Sequence, residues 1–307
     1  MRIRTMTADD RHEVAELIYA SINVWYQSHG LPQIFRGGPH VTEVFYDVYS
    51  VLDPGHAVVA ENTETGRLMG SCFYHPREHH VSLGIMNVHP NYFGRGAGRE
   101  LLKAVTDYSD QNGYKALRLV QSAFNLDSFS LYNKAGFVPR CAYQDMMIAV
   151  PEDGLTFRHA GLDHVRDATL DDVPGIAALE MEVSGITREQ DYRYFVENDP
   201  GFWHSSVYEG DDGRIEGFLV SSAHPAMNMI GPGVSCTEEQ AAALILRELD
   251  QHRGSTPAFV VPVEKEKLVR QIYDWGGRNC ELHFCQVRGE FQPYRGVNLP
   301  TFLPESG

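Results

Sequence analysis

Between Pro90 and Arg99 the chain places glycines at positions 94, 96 and 98, and the chemistry this spacing suits is anion binding. A strand-like run, Val81 to Val88, comes before it. A helix-like run carrying Leu101, Leu102, Ala104 and Val105 follows from Arg99. A glycine-rich turn leading into a helix N-terminus presents several backbone N–H groups in one concavity, and the helix dipole adds partial positive charge. Gly94, Gly96 and Gly98 let a ligand approach the backbone with no Cβ in the way. The expected donors to a phosphate or pyrophosphate are the N–H groups of Arg95, Gly96, Ala97, Gly98 and Arg99, assisted by the two arginine side chains. A tight strand-to-helix turn with no ligand is the competing account of the same three glycines.

A second segment supplies the context. Asn125, Ser128, Leu131, Tyr132, Lys134, Gly136 and Phe137 follow about thirty residues later. With both segments in this order, the chain resembles the GCN5-related N-acetyltransferase (GNAT) family. That family has an R/Q-x-x-G-x-G/A loop after its fourth strand, then an Asn-led helix ending in Leu-Tyr-x-Lys/Arg-x-Gly-Phe. Gly96 and Gly98 fit the loop, while Phe93 stands where Arg or Gln is usual and removes one polar phosphate contact. The resemblance implies a mixed α/β sheet that splays after the fourth strand and admits a pantetheine arm. It also implies acetyl-CoA or a related acyl-CoA as donor, attacked directly by an amine in a ternary complex, with no covalent enzyme intermediate.

That chemistry assigns roles to residues. A fixed donor must meet the thioester oxygen as it gains charge, and the N–H of Asn87 or Val88 is the candidate. Tyr132 matches the family's tyrosine that protonates the departing thiolate. Asn125 and Ser128 would hold the pantetheine or a water, although Asn125 also reads as a helix cap. An amine near pKa 10 must lose a proton before it attacks. Some family members carry a glutamate for this where Ser82 stands here. His80 lies two residues earlier on the same strand face and is the candidate base. The alternative makes His75, His79, His80 and His89 surface residues of a polar hairpin. No metal site is expected. Trp25, Tyr26, His29, Phe35 and Arg36, in a Gly- and Pro-broken segment, are the expected acceptor-binding residues.

The elements that must position these groups can be read coarsely: a strand, helices, a hairpin at Gly66, a strand to residue 89, a helix over 99–112, a strand over 116–122, a helix over 125–135 and closing strands to 150. An internal repeat points to two copies of this fold, 1–150 and 155–307. Arg4, Thr7, Asp9 and Asp10 recur as Arg166, Thr169, Asp171 and Asp172, Gly66 recurs as Gly213, and Tyr132 and Gly136 are echoed by Tyr273 and Gly277. The second copy reads as degenerate, because Gly231 to Thr237 lacks the loop spacing and Glu266 takes the place of Asn125.

Composition narrows the partners. Residues 1–150 hold 13 basic and 15 acidic residues, and 151–307 hold 13 and 26, so the net charges are −2 and −13. A chain at −15 is a poor partner for nucleic acid. No apolar run approaches the roughly 20 residues of a membrane span. Residues Met1 to Thr7 lack a secretory apolar stretch, and five unpaired-looking cysteines suit a reducing cytoplasm. The resulting expectation is a cytoplasmic tandem-GNAT N-acetyltransferase acting on a small-molecule or peptide amine. A mycothiol-synthase-like enzyme and a non-catalytic CoA-binding module are the alternatives.

Overall fold

The computed structural model describes residues 1–305, which divide into two compact units. The first comprises Met1–Leu119 with Phe302–Glu305, and the second comprises Val120–Thr301.

In the first unit β1 (Arg2–Thr5), β2 (Ala57–Glu61), β3 (Leu68–Pro76), β4 (His80–Val88) and the start of β5 (Ala116–Ser122) form a sheet in that order. β1 to β4 are antiparallel neighbours, and β5 lies parallel to β4. Helices α1 (Arg11–Ser28), α2 (Glu43–Leu52) and α3 (Ala97–Gln111) cover it. α1 buries Val14, Leu17, Ile18 and Ser21, the i, i+3, i+4, i+7 face of an amphipathic helix. α3 buries Leu101, Leu102 and Val105. Each buried leucine or valine contributes about 1.5–3 kcal/mol relative to exposure.

The second unit contains α4 (Leu126–Lys134), β6 (Val138–Met147), β7 (Val165–Asp167), α5 (Val173–Ser184), α6 (Glu189–Glu197), β8 (Trp203–Glu209), β9 (Ile215–His224) and β10 (Met227–Ser235). α7 (Glu238–Leu249), β11 (Ala258–Pro262), α8 (Glu266–Asp274), β12 (Arg278–Gly289) and β13 (Val297–Leu299) complete it. Its strands run β12-β6-β11-β10-β9-β8-β7, with β13 on β10. The compact units therefore divide inside β5, not near residue 150. The cause is β6, which is paired with β12 on one side and β11 on the other.

The repeat is visible in the elements. β7-α5-α6-β8-β9-β10-α7-β11-α8-β12 repeats the order β1-α1-α2-β2-β3-β4-α3-β5-α4-β6. The opening motif is the same at atomic level. Arg4 meets Asp10 at 2.7 Å through two nitrogens, Arg166 meets Asp172 at 2.8 and 2.7 Å, and Thr7 and Thr169 each donate their N–H to the aspartate at 2.8 Å. The register near the C-terminal helices differs from the sequence reading by one residue. Phe137 N–H bonds to Tyr132 O and Gly277 N–H bonds to Ile272 O. α4 is capped at Asn125 and α8 at Lys265. Buried Ile272, and not Tyr273 (46% exposed), holds the place of Tyr132, and Lys265, and not Glu266, holds that of Asn125.

One difference between the copies bears on function. β4 pairs with β5 only from His80 to Ser82. β10 pairs with β11 only at Met229 and Ile230, but from Gly233 to Ser235 it pairs with β13. β13 reaches that edge through Gly296, where an added Cβ would sit 2.2 Å from Ser235 O. Gly296→Ala should therefore lower stability by about 1–3 kcal/mol, the usual effect of overpacking. Urea unfolding checks this, and an unchanged midpoint would show that β13 can shift without loss.

Candidate active site

β4 is the strand on which the thioester donor was expected. Two β4 residues, Gly84 and Ile85, lie opposite Phe73 alone where the ladder shifts between Cys72 and Tyr74, which makes a bulge. His89 N–H donates to Met69 O at 2.9 Å. Antiparallel pairing alternates, so the Asn87 N–H also points into β3, while the Met86 and Val88 N–H groups point to the opposite edge. Of the two expected donors, Val88 is thus aimed at that edge and Asn87 is not. The Asn87 side chain is buried and accepts a hydrogen bond from Ser21 Oγ at 2.9 Å.

The glycine loop follows β4. Gly94 and Gly96 have φ of +72° and +85°, a region costly for residues with a Cβ. Gly96 is the N-cap of α3 and offers no side-chain cap. The first helical bond runs from Glu100 N–H to Gly96 O at 3.1 Å. The amides of Ala97, Gly98 and Arg99 are accordingly the orphan donors of a helix start, whereas the Arg95 N–H, also an expected donor, is taken by Tyr92 O at 3.2 Å. Arg95 is exposed, with its guanidinium 5.6 Å from the Tyr92 ring, and Arg99 is exposed beside Glu100 at 3.3 Å. The corresponding start of α7 is different. Thr237 accepts from Gln240 N–H at 3.2 Å, and the Gln240 side chain accepts from Thr237 N–H at 2.9 Å. This capping box satisfies at that helix what α3 leaves open.

Asn125, Ser128 and Tyr132 lie in the second unit, on and before α4. Asn125 caps the helix, its Oδ1 accepting from Ser128 N–H at 3.0 Å, as one of its two sequence readings held. Tyr132 is buried, with its ring centroid 5.8 Å from that of Phe137.

Two expectations in the first unit need correction. His80 is fully buried at the first residue of β4, eight residues from Val88, or roughly 26 Å along an extended strand. At that separation it does not serve an amine beside Val88. Nor are the histidines a surface set, because His75 is also buried. Phe35 is the second correction. It is a core residue with its ring 5.8 Å from Phe45, its backbone N–H and O held by Asn23 at 2.9 Å. α1 continues through Trp25 and Tyr26 to Ser28, His29 stacks on Trp25 at 4.2 Å, and Arg36 is exposed. A cavity of about 490 Å³ opens at the other half of α1, lined by Glu13, Glu16, Tyr19, Arg67, His89 and Tyr92 among others. None of the expected acceptor residues lines it.

Sequence reasoning missed a buried polar cluster. His75 Nδ1 donates to Asp53 Oδ2 at 2.6 Å, and Arg77 donates to Asp53 Oδ1 at 2.5 Å. Tyr49 donates to Glu305, whose Oε2 lies 3.5 Å from His75 Nε2. Burial would raise the Asp53 pKa, but hydrogen bonds and charge from His75 and Arg77 outweigh it and hold the carboxyl at about 2. For His75, burial pulls the pKa down, yet hydrogen bonds to Asp53 and Glu305 leave it raised. The signal in the sequence was a charged pair, His75 and Arg77, closing an otherwise buried strand.

Residues 22–137 match the Acetyltransferase (GNAT) family. Residues 22–137 are a GNAT domain. That match supports acyl transfer in general terms for this chain. Over 99% of its length it resembles a putative acetyltransferase of Pyrococcus horikoshii, with TM-score 0.76, 16% identity and 95% of that chain covered. A GCN5-related N-acetyltransferase of Sphaerobacter thermophilus aligns with TM-score 0.60 at 16% identity, covering 95% and 96% of the two chains. A tandem GNAT protein from the clavulanic acid biosynthesis pathway aligns with TM-score 0.61 at 14% identity, covering 94% and 98%. The tandem GNAT fold therefore extends over the chain. UPF0157 protein YqkA of Bacillus subtilis (strain 168) is 30% identical over 103 residues, which are 34% of this chain and 28% of that protein. The chain thus spans little more than a quarter of that curated relative. Among the described residues no helix is long and apolar enough to cross a membrane.

The ionisation of Asp53 gives a test of the cluster. A carboxyl held down in the folded state stabilises it above the unfolded pKa of about 3.9, and this is lost as pH falls toward 2. Asp53→Asn should cost about 2 kcal/mol above pH 5, with the gap closing below pH 4 in urea unfolding. His75 acts in the opposite sense, its contribution fading as pH rises through its raised pKa. A gap independent of pH would remove the ion pair from the account.

Proposed function

We propose that the chain transfers an acetyl group from acetyl-CoA to the amine of a small molecule or peptide, by direct attack in a ternary complex. The observation that carries this reading is the uncapped start of α3 at Gly96, following the open edge of β4. Orphan amides at Gly96 to Arg99 suit the coenzyme's pyrophosphate, with Arg95 and Arg99 adding charge. The Val88 N–H, and Met86 beside it in phase, suit the thioester oxygen. The amine nitrogen forms the new C–N bond, the C–S bond breaks with its electron pair on sulfur, and the thiolate is protonated. Tyr132 is the proposed donor of that proton, on the family match and its burial in α4. The Trp25–His29 stack, half-buried at Trp25 and exposed at His29, is with Tyr26 and Arg36 the proposed acceptor-facing surface, and Phe35 has no part in it.

The second copy is proposed to bind no coenzyme. Its β10 edge is paired with β13, the α7 start is capped by Thr237 and Gln240, and Ile272 offers no hydroxyl where Tyr132 stands. Titration calorimetry on the full chain should therefore give one acetyl-CoA per chain, and two would refute the degeneracy.

Two substitutions separate an enzyme from a binding module. Gly96→Asp should weaken acetyl-CoA at least about tenfold, because it places a Cβ at φ +85° and a carboxylate beside the pyrophosphate. Tyr132→Phe should leave coenzyme affinity in place and lower turnover about 10²-fold or more, measured as free thiol released against a panel of amines. Undiminished turnover in Tyr132→Phe would remove the tyrosine from the chemistry.

A further inference from the structure

An amine acceptor must shed a proton, and with His80 excluded by its position the acyl-transfer reading lacks a base. The face of β3 and β4 turned toward α1 and α2 carries a lane of buried polar groups. Ser71, Phe73 and His75 alternate along β3, with Asn87 opposite Ser71 and Ser82 opposite His75. Ser71 Oγ, Ser82 Oγ and Asn87 Nδ2 are buried and have no hydrogen-bond partner among the described residues. Buried polar atoms without protein partners are sites for ordered water. His75 lies against bare backbone at the bulge, where a Cβ on Gly84 would stand 2.6 Å from its Nε2. Met86, whose N–H faces the open edge, is two residues further on, roughly 7 Å along the strand.

We propose that His75, oriented by Asp53, receives the proton lost by the acceptor amine, relayed by water held along Ser82, Ser71 and Asn87. This rests on the acyl-transfer reading above. His75 acts here through water and does not touch the substrate. The ammonium R–NH₃⁺ releases one proton, which passes along the lane to neutral His75, and the free amine attacks the thioester carbon. The second proton on nitrogen leaves with the thiolate as CoA–SH, so one proton remains on His75 and returns to solvent. The groups facing His75 are Tyr49 and Asp53 from α2 and its C-terminus, Arg77 after β3, His56 before β2, and Glu305 from the C-terminal segment. The two carboxylates favour the imidazolium, so the neutral, accepting form grows in as pH rises above the ordinary histidine range.

The test is kcat/KM against pH for the full chain, with an amine that the acceptor screen turns over. The wild type should show a rising limb of unit slope that ends above pH 6.5. His75→Gln should lower kcat/KM by about 10²–10⁴-fold and move the limb toward the amine's own pKa near 10, while the KM for acetyl-CoA stays unchanged. Should that variant fail to fold, Glu305→Gln decides. It removes a carboxylate that favours the imidazolium, so its limb should move to lower pH. A wild-type limb in His75→Gln, or an unmoved limb in Glu305→Gln, overturns the relay even when coenzyme binding is intact. Failure of the wild-type chain to bind acetyl-CoA overturns the acyl-transfer reading, and the relay with it.

Discussion

Unpaired backbone amides are the constraint from which the rest follows. A helix start leaves its first N–H groups without partners, and a strand without a neighbour leaves every second N–H exposed along one edge. A folded chain normally closes both with its own side chains or with another strand. In the first unit neither is closed. Gly96 has no side chain to cap α3, and β4 loses β5 after Ser82. These two places suit the pyrophosphate of a thioester coenzyme and a carbonyl oxygen that gains charge as it reacts.

The second unit acts as an internal comparison, because the same order of elements is present with those openings filled. Thr237 and Gln240 cap α7, β13 pairs with β10, and Gly296 lets β13 come close enough to do so. Meanwhile the opening ion pair keeps its geometry in both copies, Arg4 with Asp10 and Arg166 with Asp172. The opening ion pair is common to both units, whereas the uncapped helix start and the unpaired strand edge belong to the first.

Much of this was legible in the residues. The glycine loop, the Asn125–Phe137 helix and the Arg–Thr–Asp repeat are local patterns, and local patterns survive in sequence. Long-range pairing is not local. Nothing in the spacing of Val138 to Met147 says that β6 lies between β11 and β12, and nothing in Val297 to Leu299 names β10 as its partner. Alternation placed His80 and Ser82 on one strand face, but it carries no information on burial, so the fully buried His80 was read as a base. His75 was overlooked because its partners, Asp53, Tyr49 and Glu305, are far apart in the chain. The one-residue slip that matched Tyr132 to Tyr273 arose from aligning residue types. The hydrogen bonds of Phe137 and Gly277 show the helix register instead.

A crystal structure of the full chain grown with acetyl-CoA tests the central claim most directly. The account predicts pyrophosphate oxygens within hydrogen-bond distance of the amides of Gly96 to Arg99, the thioester oxygen facing the Val88 or Met86 N–H, and no coenzyme at the start of α7. Coenzyme seated at Thr237 to Gln240, or a loop at Gly94 to Arg99 that stays bare in crystals saturated with ligand, would contradict it.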